Sequence, residues 1–467
     1  MKRIVTAILL LSFTIALAQD QPAAPPSVSD AEAKAAEELF QDGRKLFFQS
    51  EFLEAIKKLA QAAEANPSKL SYKLLLAKAH RAVKQDTEAT KVFEDIVKTN
   101  PEHVEAAIEL AELLTPQKEP DRVIAILQPM IKLRRNYPLY HLLAEASYQK
   151  EDLGNARKYY EEAIKLNPRN RDDHYQLGNI YLAQKRFAKA GASYEQAGAL
   201  GYTSGVFHFK LGSVYFNLHN YLGKVTTAQV ASGTSGEISN DLYLIDPVPG
   251  QKDSFYVTGP RSAVFQIAKA RAAGIDVFDI RFLEANVWLG AHHYAKADAV
   301  YKAIEEKVSK EDAGLFWSQW SQTALGLDDY DNYLARLQKA IDAQPAIYKA
   351  TMSDALITVA NRHNQRGDTA KYIEYLNKAV AHNPLSARLH LTLGDAYWTA
   401  GKRKEAIQQY KLVLELEPQF SQRVRLLNRI RGQEDTAPLT TAATTSSPQQ
   451  VTLIVNSHST AKLMMQL

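Results

Sequence analysis

Cysteine is absent from the 467 residues. An exported chain without cysteine has no disulfides to hold it, so its stability must come from packing. The same absence excludes a lipid-modified N-terminal cysteine. A surplus of one charge is also missing. Lys and Arg number 56 against 52 Asp and Glu, a formal net charge of +4 with no long basic run, so bulk charge gives no support to a nucleic-acid partner. Beyond the first residues no stretch is long and apolar enough to cross a bilayer. Catalytic signatures are lacking too. There is no G-x-S-x-G elbow, and His292-His293, near a turn between two helices, lacks the spacing of H-E-x-x-H and reads as surface histidine. The "GTSGE" cluster is followed by neither Lys-Ser/Thr nor G-x-G-x-x-G, so it is a turn and not a phosphate cradle. No catalytic residue, cofactor or metal site is expected, and the chain does not read as an enzyme.

What is present begins with "MKRIVTAILLLSFTIALAQD". Lys2 and Arg3 precede an apolar stretch from Ile4 to Ile15, and Ala16-Leu17-Ala18 offers a small-x-small cleavage site. This is the pattern of a secretory signal peptide over 1–18, so export is expected, most simply to a bacterial periplasm, with secretion further out left open. The remainder, with 46% hydrophobic and 23% charged residues over the whole chain, suits a soluble folded protein large enough for several domains.

The stretch "DHYQLGNIYLAQKRFAKAGASYEQA" orders large and small residues in a way one amphipathic helix has no use for. Leu177, Gly178 and Tyr181 are followed by Ala190, Tyr194 and Ala197, and the order returns elsewhere. Gly43, Leu46, Ala55, Leu59, Ala62 and Pro67 form one copy; Ala77, Ala89, Phe93 and Pro101 the next. Leu143, Ala144, Ala156, Tyr160, Ala163 and Pro168 repeat it, as do Leu393, Gly394, Tyr397, Ala406, Tyr410 and Pro418. Pro67 and Pro101 lie 34 residues apart, as do Pro384 and Pro418. Weaker copies surround Ala111, Gly212, Ala285, Ser321 and Ala360, giving ten candidate units. Small residues suit the crossing of two antiparallel helices, and large ones the gaps between neighbouring units. No unit buries its apolar face alone, so the units must stack.

The pattern resembles the tetratricopeptide repeat family, with large-Leu-Gly-x-x-Tyr on a first helix, Ala-x-x-x-Tyr/Phe-x-x-Ala on a second and a closing proline. The resemblance implies an all-α solenoid of helix-turn-helix units whose first helices line a concave protein-binding groove. Carried onto this sequence, the groove positions are Phe40, Arg44 and Phe47, then Leu74, Lys78 and Arg81. The fourth and fifth units add His141, Glu145, Tyr148, Tyr175 and Asn179, the sixth Phe209, Ser213 and Phe216, and the last Leu391, Asp395 and Trp398. Such a mixture of aromatic and polar groups suits a protein partner. The chain departs from the relatives that grip chaperone C-termini with a Lys/Asn/Arg carboxylate clamp. Asn179 occupies one suitable place, but Tyr175 stands where the clamp lysine would be.

The period lapses after "KLGSVYFNLHNYLGKV". A Val-, Thr- and Tyr-rich insertion over 224–261 is expected to form a small antiparallel meander, with strands at Val225 to Ala231, Asp241 to Ile245 and Ser254 to Thr258. It serves either as a partner-specificity element or as a spacer that bends the solenoid. The expected organisation is therefore a linker over 19–32, repeat arrays over 33–223 and 262–418, a capping helix over 419–433, and a low-complexity tail over 434–467. In the cap, Val424, Leu427 and Ile430 are expected to face the last repeat, with Arg423, Arg425, Arg429 and Arg431 in water. "VTLIV" in the tail has no assigned role. His141 and Glu145 share a helix face but lack a third metal ligand, and Trp317 and Trp320 read as packing rather than a sugar platform. The expected function is an exported scaffold or adaptor that binds other envelope proteins, its oligomeric state open. The alternatives are an enzyme or glycan-handling module between insertion and groove, or a subunit of an outer-membrane assembly or polysaccharide-export machine.

Overall fold

The computed structural model describes residues 29–232, 244–248 and 250–433. The expected signal peptide, most of the linker and the tail lie outside them. The chain divides after Pro168 into two units. The first holds four helical hairpins: α1 (Asp30–Phe48) with α2 (Phe52–Ala65), α3 (Leu70–Ala82) with α4 (Asp86–Thr99), α5 (Val104–Leu114) with α6 (Pro120–Leu127), and α7 (Tyr137–Gln149) with α8 (Leu153–Leu166).

The second unit opens with α9 (Arg171–Ala183) and α10 (Phe187–Ala199), and then α11 (Gly205–Asn217). An inserted segment follows with β1 (Gly223–Thr226), α12 (Thr227–Ser232), β2 (Leu244–Pro247) and β3 (Ser254–Val257), before α13 (Ala263–Ala272) packs back on α11. Next come α14 (Phe278–Gly290) with α15 (Tyr294–Ile304) and α16 (Ala313–Gly326) with α17 (Tyr330–Ala343). The short α18 (Pro345–Tyr348) leads to α19 (Thr351–Gln365) with α20 (Thr369–His382), α21 (Ala387–Thr399) with α22 (Arg403–Leu416), and α23 (Arg423–Ile430).

One packing rule builds these hairpins. A small residue on the first helix meets a large one sixteen positions later on the second: Gly43 under Leu59, Gly178 under Tyr194, Gly394 under Tyr410. A Cβ added at Gly178 would lie 2.6 Å from the Tyr194 ring, so glycine is there for close approach. The same interval joins Ala77 to Phe93, Ala111 to Leu127, Ala144 to Tyr160, Ala285 to Tyr301 and Ala360 to Leu376, all of them buried. Large residues thus fill the crossing within their own hairpin as well as the gap to the next unit, where Tyr194 meets Phe207 edge-on at 6.0 Å. Each hairpin turn places one residue at positive φ: Ser50, Lys84, Lys118, Glu151, Lys185, His219, His292 and Asp328, then Gly367 and Gly401. His292, expected near a turn, is such a residue.

The same register shows where the insertion enters. Gly212 of α11 packs against Ile267 of α13, 55 residues on instead of sixteen, which leaves 39 extra residues. His219 still makes the turn. Ala263 N–H then donates to Asn220 O (2.9 Å) and Val264 N–H to Tyr221 O (3.2 Å), the bonds that Ala190 makes to Arg186 within a regular second helix. The insertion therefore splits the first turn of a second helix, and the helix closes across it.

Inside the insertion, the sheet order is β1-β3-β2, all antiparallel, so the last strand is central and the expected meander order does not hold. The first strand also ends early. Thr226 and Gln229 form a capping box, with Gln229 N–H on Thr226 Oγ1 (3.1 Å) and Thr226 N–H on Gln229 Oε1 (2.9 Å). Helix α12 starts there and overrides the β propensity of 225–231. The expected strand at Asp241 to Ile245 lies partly outside the described residues, and β2 begins at Leu244.

The cap corrects a second expectation. On α23, Leu426 is fully buried and Ile430 packs on the last hairpin, but Val424 is 71% exposed and Arg429 only 1%. Arg429 donates to Asp395 Oδ1 (2.9 Å) and Tyr410 Oη (2.8 Å), with Trp398 over its guanidinium at 4.9 Å. The Asp395 carboxylate draws this arginine inward, which sets the helix rotation and turns Val424 to water.

Candidate functional site

In the first unit α1 and α3 pack together, as do α5 and α7, so first helices sit beside one another. Phe40 stacks on Tyr72 at 4.6 Å, and the Tyr72 hydroxyl donates to Glu37 (2.7 Å). Burial, with that carboxylate second, pushes the Tyr72 phenol up to about 12. Phe47 meets Phe52 and the exposed Phe48, whose ring lies 6.0 Å from the exposed Arg44 guanidinium. Leu74 is half-buried.

Lys78 and Arg81 are not waiting for a counter-charge. Lys78 Nζ lies 2.5 Å from Glu105 and 4.0 Å from Glu109, while Arg81 pairs with Glu109 and, at 2.5 Å, with Glu112. These three glutamates belong to α5, one repeat on. The sequence reading left them out because that repeat is a weak copy, although a 34-residue shift puts Glu112 opposite Lys78. Part-exposed pairs of this kind are worth about 0–1 kcal/mol each, so a partner can open them at small cost. On α7, His141 Nε2 lies 3.5 Å from Glu145 and its ring stacks on Tyr137; Tyr148 is half-buried. Among the described residues no three His, Asp or Glu side chains converge as metal ligands, and no helix is long and apolar enough to cross a membrane.

In the second unit several expected groove residues are built into the array. Helix α11 is buried almost all round: Phe209, Ser213 and Phe216 lie inside, and the Ser213 hydroxyl donates to the Phe209 carbonyl (3.0 Å). Tyr175 is buried and stacks on Tyr202 at 4.2 Å. Asn179 Oδ1 accepts from the Tyr194 hydroxyl (2.8 Å), and the same bond recurs fifteen residues apart as Tyr301 to Asn286 (2.6 Å) and Tyr410 to Asp395 (2.8 Å). Asn179 and Asp395 therefore tie their own hairpins together. Leu391 is buried; Trp398 is half-buried between Arg403 at 3.8 Å and Arg429.

Sequence reasoning missed Lys210, beside Tyr175 and Asn179. It is 5% exposed, with Nζ 3.3 Å from Tyr175 Oη and 3.2 Å from Asn179 Oδ1. No carboxylate lies within ion-pair distance of it among the described residues, and burial pushes the ammonium down to about 8. Its position in the weak sixth copy, among aromatic residues, was the available signal.

Comparison with known proteins agrees with the hairpin register. A tetratricopeptide repeat family model matches residues 141–201, and a second matches 87–146 and 363–430. No curated protein matches the chain. Among solved structures, MamA 41-end from Desulfovibrio magneticus RS-1 is 18% identical, covering 37% of this chain and 97% of its own, with a TM-score of 0.33. PilF of Pseudomonas aeruginosa is 15% identical over 40% of this chain and 86% of its own, with a TM-score of 0.35. YrrB, described as a TPR protein with an unusual peptide-binding site, is 17% identical over 47% of this chain and 92% of its own, with a TM-score of 0.34. The matched stretches lie within hairpins that share one small-to-large register, and the chain carries tetratricopeptide repeats over 87–201 and 363–430.

Proposed function

We propose that this protein is a non-catalytic scaffold that binds other proteins of the cell envelope through the first-helix faces of its repeats. The observation that carries the reading is the set of half-buried groups those helices present: Phe40, Phe47, Lys78, Arg81, His141, Glu145 and Tyr148 in the first unit, and Trp398 in the second. They combine aromatic area with charges in part-exposed pairs, which suits a reversible protein contact. The signal-like stretch over 1–18 supports export to the periplasm. The insertion is displayed from an array whose register it leaves intact, which supports an accessory part in recognition.

A photo-crosslinking residue placed at Tyr148 or Phe47, in living cells, tests this against the same residue at Glu64 and Lys98 on second helices. Adducts are expected from the first two positions and not from the controls, in the fraction released by osmotic shock. Equal adducts at all four positions, or none at Tyr148 and Phe47, would overturn the groove reading. Retention in the cytosol would overturn the compartment.

A further inference from the structure

The hairpins α5–α6 and α7–α8 close with turns that correspond residue for residue. Leu127 and Tyr160, both buried, are 33 residues apart, and the same interval joins the buried Met130 to Ala163 and then Leu133 to Leu166. The last pair is not buried: Leu133 is 50% exposed and Leu166 37%. One exposed leucine needs no explanation. Here two recur at a single register position in neighbouring repeats.

Cations accompany both leucines. Lys132 and Lys165 each precede one, and Arg134 and Arg135 follow the first. Arg135 reaches from its own turn to Glu162 Oε2 of α8 (2.5 Å), and Lys165 Nζ holds the other oxygen of that carboxylate (2.6 Å). The two turns therefore form one edge, joined at Glu162, with Arg135 and Lys165 still 55% and 62% exposed. Lys132 and Arg134 are exposed, and among the described residues neither has a carboxylate within ion-pair distance. Four cations thus stand around one carboxylate. On the turn before, the exposed Lys98 and Glu102 offset each other in charge, so the excess belongs to this edge.

We propose that this edge is a docking surface for an anionic lipid bilayer. Phosphate headgroups supply the negative charge that Lys132 and Arg134 lack, and Leu133 and Leu166 leave water among the headgroups beside them. An acidic protein surface would answer the cations but not the paired leucines. The edge is built from turns between hairpins and uses none of the first-helix groups assigned to partner binding. It stands whether or not those faces bind a protein.

Vesicle co-sedimentation tests this with the chain from Gln19 onward, which lacks the apolar stretch over 4–15. The probes are vesicles of phosphatidylcholine alone and vesicles with phosphatidylglycerol added. Binding is expected to the second kind only, and should weaken as salt rises. Lys132→Gln with Arg134→Gln should raise the lipid concentration for half-binding about 25-fold, roughly fivefold for each cation. Leu133→Ser with Leu166→Ser should weaken binding and leave its salt dependence unchanged. Lys84→Gln with Lys118→Gln, at turns within hairpins, removes as much charge and should bind like the parent. Circular dichroism on each variant confirms the fold. Equal binding to both vesicles, binding to neither, or the same loss from the two charge variants would overturn the proposal. So would a serine pair that binds like the parent, because charge alone would then account for the contact.

Discussion

Lys210 shows how a single residue sets the balance between burial and charge. Its folded-state value of about 8 lies below the ordinary 10.5, so the folded chain binds this proton more weakly than the unfolded chain does. The destabilisation is complete below pH 8. As the pH rises from 8 towards 10.5 the folded chain gives up the proton first, and stability increases by about 3 kcal/mol at about 1.4 kcal/mol per pH unit. Lys210→Met is expected to raise the thermal midpoint at pH 7 and to flatten the rise between pH 8 and 10, read by circular dichroism melts of both proteins across that range. Glycine gives a second residue-scale contrast. Gly178→Ala forces a methyl group to 2.6 Å from Tyr194, an overpacking cost of about 1–3 kcal/mol that exceeds the helix-propensity gain of about 1 kcal/mol. At the exposed Gly154 the nearest atom is 3.4 Å away, so the same change should stabilise. Opposite signs of the shift in midpoint are expected; equal signs would refute close packing at Gly178.

At the scale of elements, the insertion and the cap make separate claims. Joining Leu222 directly to Ser262 removes Gly223–Arg261 and recreates an uninterrupted second helix, since Asn220, Tyr221 and Leu222 already lead into the hydrogen bonds of Ala263 and Val264. The deleted protein should keep its helical signal and a thermal midpoint close to the parent's; a collapse of either would mean that the sheet holds α11 and α13 together. The cap depends on one buried ion pair. Arg429→Ala takes the guanidinium away from Asp395 and Tyr410, leaving the Tyr410 hydroxyl still donating to Asp395, and should cost about 3 kcal/mol locally. Hydrogen exchange should quicken in α22 and α23 and stay unchanged in α9 and α10.

For the whole molecule, stacked hairpins imply that stability is distributed repeat by repeat rather than held in one core. Helix α11, buried almost all round, should contain some of the slowest-exchanging amides, while α1, with only Ala36 and Gly43 buried, exchanges early. Mass-spectrometric hydrogen exchange checks this order, and α1 outlasting α11 would contradict it. With no cysteine, no redox condition should alter the pattern.

Hairpin number and family were legible in the sequence because the rule that makes a hairpin is local. A small residue must stand opposite a large one at a fixed interval, and both fall within one repeat, so Gly178 and Tyr194 or Gly394 and Tyr410 reveal themselves. The approximate place of the insertion was legible for the same reason, as a lapse in that interval. Contacts between repeats decided the rest. Lys78 and Arg81 stood as groove positions with no counter-charge assigned until α5 brought its glutamates alongside, and Phe209, Ser213 and Phe216 looked like groove positions until neighbouring helices enclosed α11. Arg429 looked solvated until Asp395 and Tyr410 met it, and the Thr226 capping box ended a strand that propensity favoured. Sequence alone determined the hairpin, because its partners are near in the chain; only the tertiary structure decided which charges are paired and which faces are open, because burial and ion pairing depend on groups tens of residues away.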